Sequence, residues 1–358
     1  MIAPTTKNIS NVYKPTFFRL RSDADRSAFH TIRDSAANKC YDTIDTQILE
    51  LLACRNPSLE KANILNSGMV DEYIRGKNET LETYGVWVHY PWKNQLVHIL
   101  DEEEFIEVRT NRNKLKITQE EQDILRTKKI GIIGLSVGRA VATTIALERI
   151  AGEIRLADFD DIELSNLNRI NAPLTEMGKN KTISAAQEIA EIDPFIKVIC
   201  YTEGYTEANA DDFFCKDGKI DLLVEECDDI RVKIEARLKA KEFHVPVIME
   251  TNDNCIIDIE RYDLEPERDI FHGKLTEEDI SLAKKAKTVQ EKTMVLTKII
   301  DVSKISDGMK LSLNQMGKGI RNWPQLASEA AKGSSVVTDI SRRVLLGKDS
   351  LSEQRYYY

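Results

Sequence analysis

The run Ile130-Gly131-Ile132-Ile133-Gly134-Leu135-Ser136-Val137-Gly138-Arg139 places glycines between a hydrophobic stretch and the start of an amphipathic one. Backbone N–H groups in such a strand-to-helix turn lie at the positive end of a helix dipole, so the chemistry this pattern suits is holding a phosphate. Gly134, Ser136 and Gly138 are the expected contacts. The strict G-x-G-x-x-G spacing is not kept, because counting from Gly134 puts Ser136 at the second glycine position and Arg139 at the third. A tight turn without a ligand therefore competes as a reading of this loop alone. The next apolar run, Ile154-Arg155-Leu156-Ala157, ends on Asp158, 24 residues after Gly134. That is close to the roughly 20-residue offset of an acid that receives ribose hydroxyls. Asp158 is expected on the ribose, with a solvated strand end as its alternative, and Asp160 is expected at the same site or orienting the loop that follows.

These residues need a scaffold, and the chain from Lys128 supplies one. Short β-rich runs (Lys129 to Ile133, Glu153 to Ala157, Lys197 to Tyr201, Leu222 to Glu225, Val247 to Thr251) alternate with stretches of helical spacing (Arg139 to Ile150, Lys181 to Glu191, Arg231 to Phe243). Such alternation predicts βαβ units, a mainly parallel sheet and right-handed crossovers, the doubly wound Rossmann-like α/β class. Residues 116–265 are expected to form this nucleotide-binding domain, starting with a short helix at the capping box Thr118-Gln119-Glu120-Glu121.

Residues 1–115 read as an α+β N-terminal lobe. Arg21 to Arg55 is predicted mainly helical, with Ile44, Ile48, Leu51 and Leu52 on one stripe. Val86 to Tyr90 and Gln95 to Leu100 are predicted as a hairpin around Pro91 to Asn94, on which His89 and His98 would face each other. Residues 266–358 are expected to be mainly helical, following one more strand within Cys255 to Asp263. Met309 to Asn322 reads as a loop and the Arg355-Tyr356-Tyr357-Tyr358 tail as a frayed end.

The segment Asp158-Phe159-Asp160-Asp161-Ile162-Glu163-Leu164-Ser165-Asn166-Leu167-Asn168-Arg169 resembles the D-x-D…S-N-L-x-R stretch of the ThiF/MoeB/HesA family, bacterial relatives of ubiquitin-activating enzymes. Gly178-Lys179-Asn180-Lys181 resembles that family's G-x-x-K, Ile192-Asp193-Pro194 its I-N-P, and Glu225-Glu226-Cys227-Asp228 its D-C-x-D, with Glu225 replacing the first Asp. The resemblance implies a ThiF-type adenylyltransferase that uses ATP and Mg2+ to convert a carboxylate into an acyl-adenylate. The carboxylate would be a protein or peptide C-terminus or a small acid. On the same footing Arg169 and Lys181 would stabilise phosphate charge, Asn166 would hydrogen-bond the phosphate or ribose side, and Asp228 would hold Mg2+. Surface salt bridges for Arg169 and Lys181, and a helix N-cap for Asp228, are the alternatives. Arg112, in a segment similar to the family's Y-N-R-Q, is expected to reach a nucleotide, in dimeric members that of the neighbouring subunit, which favours a homodimer. The chain also resembles a bacterial group often fused to a nitroreductase-like domain, an expected partner.

Two other readings stand beside this one. An NAD- or FAD-binding redox enzyme or subunit would use Asp158 equally well but would leave Arg169 and Lys181 unexplained. A non-catalytic partner-binding module on the same fold would account for Ser136 and Arg139, which crowd the place where a phosphate approaches the backbone. A net charge of −9 and a pI near 5.3 argue against a nucleic-acid or anionic-membrane partner held by bulk electrostatics. Met1 to Pro15 lacks the apolar core of a signal peptide, and six cysteines without a C-x-x-C pair give neither a zinc knuckle nor a disulfide framework, so a cytoplasmic protein is expected. Cys227 and Cys255 read as buried thiols rather than acyl acceptors.

Overall fold

Strand-forming runs and their capped helices build two compact units, Met1–Gln119 and Glu120–Tyr358, in a computed structural model that describes residues 11–35, 38–286 and 288–357. The first ten residues, part of the signal-peptide reading, lie outside the described residues.

The first unit contains β1 (Thr16–Phe18), α1 (Asp23–Arg33), β2 (Lys39–Asp42), α2 (Ile44–Arg55), α3 (Lys61–Asn66), α4 (Met69–Gly76), β3 (Val86–Tyr90), β4 (Gln95–Ile99) and α5 (Glu102–Arg109). Its sheet has the order β1-β3-β4-β2, antiparallel except for the β2–β4 pair. The predicted stripe is the core, since Ile44, Ile48, Leu51 and Leu52 are all buried, each contributing about 1.5–3 kcal/mol. Arg21 to Arg55 is mainly helical, in α1 and α2, and Lys39–Asp42 between them pairs in parallel with β4 at the sheet edge. One expectation is corrected. His89 and His98 do not face each other, because the register sets His89 opposite Leu96 and His98 opposite Trp87. The fully buried His98 ring instead bridges the Asp42 carboxylate (2.9 Å) and the Tyr84 carbonyl (2.7 Å) and stacks on Trp87 at 4.3 Å.

The second unit runs α6 (Gln119–Leu125), β5 (Lys129–Ile133), α7 (Gly138–Glu148), β6 (Glu153–Ala157), α8 (Lys181–Ile192), β7 (Lys197–Tyr201), α9 (Ala210–Cys215), β8 (Leu222–Glu225), α10 (Ile230–Glu242), β9 (Val247–Thr251) and β10 (Ile256–Glu260). It continues through α11 (Glu277–Lys285), α12 (Val289–Ile299), α13 (Asp307–Gln315), α14 (Ala327–Leu345) and β11 (Glu353–Tyr356). The sheet order is β11-β10-β9-β8-β5-β6-β7, with β5 to β9 parallel and β10 and β11 added antiparallel. The five parallel strands coincide with the predicted runs, because strands buried on both faces carry unbroken apolar sequence. The α/β, doubly wound class and the mainly helical C-terminal region are as the sequence implies. Helices α7, α8 and α14 pack together on one face, and α9, α10, α11 and α12 on the other.

Two local readings change in this unit and one holds. Met309 to Gln315 is helical, in α13, which the Ser306 hydroxyl caps by accepting from Met309 N–H at 3.1 Å. Within Cys255 to Asp263 the strand is β10, and the tail is not frayed, because Glu353–Tyr356 pairs along it as an edge strand. Gln354 there donates to the buried Asp258 carboxylate at 2.7 Å, and His272 Nε2 lies 3.1 Å from the same carboxylate.

Candidate functional site

After β6 and β7 have been laid on one side of β5, β8 pairs in parallel with its other side, so the carboxyl ends of β5 and β8 form the switch point of the sheet, where open α/β sheets leave a crevice. A polar cleft of about 800 Å3 lies there, within the size range of small-molecule sites.

One wall comes from the ends of β5 and β6. Gly134 sits at φ +88°, and a Cβ there would come within 2.7 Å of Cys227 N, so the turn requires glycine. Its N–H donates to the Ala157 carbonyl at 2.9 Å, tying the loop to the end of β6. Asp158, buried, accepts from Leu135 N–H (2.6 Å) through one oxygen and from Asp160 N–H (2.9 Å) through the other. Burial raises its carboxyl above the usual range, opposed mainly by the Lys181 ammonium 3.9 Å away. Lys181, buried at the start of α8, donates to Asp160 at 2.7 Å. Asn166 closes a 3-10 turn, its side-chain oxygen accepting from Glu163 N–H at 3.0 Å. Arg169, half-buried, donates through Nε to the Ser136 hydroxyl at 2.8 Å, and burial lowers its guanidinium from the usual value.

Opposite stands the loop after β8. Glu225, fully buried, accepts from Lys233 (3.1 Å), Arg237 (2.7 Å) and the backbone N–H of Cys227 (2.9 Å). The departure from the family's first aspartate thus lies in the interior and shapes the turn that carries Asp228. The carboxylate of Asp228 opens into the cleft and accepts no hydrogen bond from the described residues. It is exposed in the cleft, and desolvation by the nearby walls raises its carboxyl, with Glu225 adding to the effect and Lys233, Arg169 and Lys181 opposing it. The N-cap of α10 is the next residue, Asp229, whose side chain accepts from Arg231 N–H at 2.9 Å. The capping alternative for Asp228 is therefore excluded. Cys227 lines the cleft, but burial pushes its thiol well up, and Cys255 is pushed up to about 12, so neither is a ready thiolate.

The structure gathers Gly134, Ser136, Asp158, Asp160, Asn166, Arg169, Lys181 and Asp228 around this one cleft. Gly138 lies outside it: at the first turn of α7 a Cβ would meet Ile132 Cγ2 at 3.0 Å, so the glycine serves helix-to-sheet packing. The expected crowding by Arg139 is corrected, since its buried guanidinium points to α8 and donates to Glu188 (2.9 Å) and Ser184 (2.7 Å). Arg112 lies in a 3-10 turn of the first unit, Asn111–Asn113. The sequence reading missed the contribution of the C-terminal region, from which Lys292, Arg321, Trp323 and Gln325 also line the cleft. Asn168 donates to the Gln325 carbonyl at 2.7 Å and the Ser136 hydroxyl lies 3.3 Å from the Gln325 side-chain oxygen, which fastens that segment to the glycine loop. No motif marked it.

Comparison with known proteins adds to this geometry. The chain is 40% identical over 271 residues to an uncharacterized protein of Mycobacterium tuberculosis (strain CDC 1551 / Oshkosh), covering 75% of this chain but 37% of that protein, so it spans little more than a third of that relative. It is 25% identical to the tRNA threonylcarbamoyladenosine dehydratase of Bacillus subtilis (strain 168), covering 65% of this chain and 95% of the other. The fold is that of the Escherichia coli tRNA N6-threonylcarbamoyladenosine dehydratase solved in complex with AMP (TM-score 0.50, 16% identity, 69% of this chain and 97% of that one). Residues 110–250, which carry both walls of the cleft, match the model of the ThiF family.

Proposed function

We propose that the cleft binds ATP with Mg2+ and that the chain is a ThiF-type adenylyltransferase, converting a carboxylate into an acyl-adenylate with release of pyrophosphate. The observation that carries this reading is a carboxylate without a hydrogen-bond partner among the described residues, Asp228, sharing one cleft with the cations Arg169 and Lys181 and with a glycine loop tied to an acid after β6. In the reaction a carboxylate oxygen attacks the α-phosphorus in line. The bond to the β-phosphate bridging oxygen breaks, and pyrophosphate leaves with the electron pair. Negative charge accumulates on phosphate oxygens, so positioned cations and backbone dipoles supply the catalysis. Arg169 and Lys181 provide the charge, Asp158 and Asp160 are placed for the ribose side, Gly134 and Ser136 border the phosphates, and Asn166 adds a neutral polar contact.

The residues fit Mg2+ as well. Among the described residues no group of three or more metal-binding side chains occurs. Mg2+ in nucleotide sites typically takes one or two carboxylates plus phosphate oxygens and water, which Asp228 alone can satisfy. Bound there, the ion neutralises pyrophosphate charge. A redox reading leaves Arg169 and Lys181 without a role. Arg112 as a nucleotide contact, a homodimer, a cytoplasmic location and a nitroreductase-like partner belong to the same proposal. Among the described residues no helix is long and apolar enough to cross a membrane.

The direct test is exchange of labelled pyrophosphate into ATP across a panel of peptides, small acids and carboxylate-bearing modified nucleosides. The last group enters because a relative is a tRNA threonylcarbamoyladenosine dehydratase. Exchange dependent on one acid is expected. No exchange with any acid, together with no heat of ATP binding, refutes the reading.

A further inference from the structure

Behind the polar cleft, between the carboxyl ends of β8 and β9 and the helices α12 and α13, lies a second cavity of about 150 Å3. It opens onto the cleft at Cys227 and Asp228, which line both. Its walls are chiefly apolar, from Met249, Leu296, Ile300, Ile305, Leu313 and Trp323. An apolar cavity of about this size accommodates one benzene-sized group.

The cavity is held open by specific contacts. Asp253 accepts from Ser306 N–H (2.7 Å) and from the Ser306 hydroxyl (2.6 Å), and Asn254 donates to the Lys304 carbonyl (2.8 Å), which pins the segment before α13 over it. Two polar side chains on its wall are left unsatisfied. Neither amide atom of Asn252 is hydrogen-bonded, and Glu250, 5% exposed, has no partner for either carboxylate oxygen. Buried polar groups are normally paired, so their presence in a pocket marks a place for a ligand. The wall suits an apolar group better than a cation: burial and the neighbouring Glu329 and Asp253 push Glu250 up to about 8, so it tends to the neutral acid near neutral pH.

We propose that this cavity receives the apolar side chain of the acid that is adenylylated, so that the acceptor is a small acid or peptide C-terminal residue with a side chain of leucine-to-phenylalanine size. Its carboxylate then lies at the Asp228 doorway beside the phosphates while its body fills the space behind. The inference rests on the adenylylation reading, and an acid ending in glycine would leave the cavity empty.

The test uses the full chain with N-acetyl-glycine, N-acetyl-leucine, N-acetyl-phenylalanine and N-acetyl-lysine, measured by calorimetry in the presence of ATP and Mg2+ and by pyrophosphate exchange. Leucine or phenylalanine derivatives are expected to bind at least tenfold tighter than the glycine derivative. Leu313→Trp, which fills the cavity, should abolish that preference without altering ATP affinity, and Leu313→Ala should shift it towards larger side chains. Melting curves of both variants report that each is folded. Exchange that is equal for all four acids and indifferent to Leu313 overturns the cavity assignment and leaves adenylylation standing. Side-chain-dependent binding that Leu313→Trp removes, with no exchange, upholds the cavity and overturns adenylylation. Preference for the lysine derivative, or no binding of any acid, overturns the assignment.

Discussion

The two walls of the cleft differ in how their polar groups are used. At the ends of β5 and β6 nearly every charged head already has a protein partner: Asp158 holds two backbone amides, Lys181 holds Asp160, and Arg169 holds Ser136. Past β8 and β9 three groups are uncommitted beside the paired Glu225 and Asp229: Asp228, in the cleft, accepts nothing from the described residues, and Glu250 and Asn252, in the cavity behind it, have buried polar atoms without partners. A wall that satisfies itself is fixed by folding and keeps its geometry without ligand. A wall with unsatisfied groups keeps part of its desolvation cost until a ligand supplies the missing bonds. The comparison separates residues whose loss damages stability from those whose loss damages chemistry alone.

The sharpest way to break that distinction is Asp228→Ala, which should lower exchange by about 10^2–10^3-fold with Tm unchanged or slightly raised. A large fall in Tm would place Asp228 with the self-satisfied wall. Arg169→Ala should cost roughly 10^2-fold in exchange rate, and Arg169→Lys should recover only part of it, because a point charge does not reproduce the planar fork. On the same β5–β6 wall as Arg169, Asp158→Ala should destabilise by about 1–3 kcal/mol in urea unfolding, since it orphans Leu135 and Asp160 amides, and should weaken ATP binding at the same time.

A smaller effect is expected from Glu250. Its folded carboxyl is raised to about 8, above its unfolded value, so between about pH 5 and 8 the folded state keeps a proton that the unfolded chain has lost. Folding stability therefore falls as pH rises through that window. Glu250→Gln should remove more than about 1 kcal/mol of that fall in unfolding measured across this range. A pH dependence identical to that of the unaltered chain would show the carboxyl to be satisfied after all. The smallest change should come from Ser136→Gly, which releases the Arg169 contact and should alter ATP affinity only a few-fold.

The sheet was legible in the sequence because each of its parallel strands is a short apolar run bounded by turn residues; Asp158 followed from the end of such a run, whereas Asn166, Arg169, Lys181 and Asp228 came only from the resemblance to the ThiF/MoeB/HesA family. What stayed hidden was tertiary. Nothing in the composition of Arg321 to Gln325 announces that this segment lines the cleft, since its contacts to Asn168 and Ser136 span more than 150 positions of the chain. The same holds for β2 and β11: short, polar edge strands carry little pattern of their own and form because a neighbouring strand offers its backbone. Arg139 misled for the opposite reason. Its position in the motif suggested crowding at the phosphate, and only packing against α8 shows where a long side chain goes.

The Glu225 cluster has a bearing on genetics. One carboxylate takes its charge balance from Lys233 and Arg237 inside the protein and gives its remaining contact to the turn just ahead of Asp228. Lesions recovered in a screen for lost activity should therefore map to Lys233 and Arg237 on α10 as well as to the visible lining of the cleft. Such alleles would look like core defects on a structure and like active-site defects in an assay.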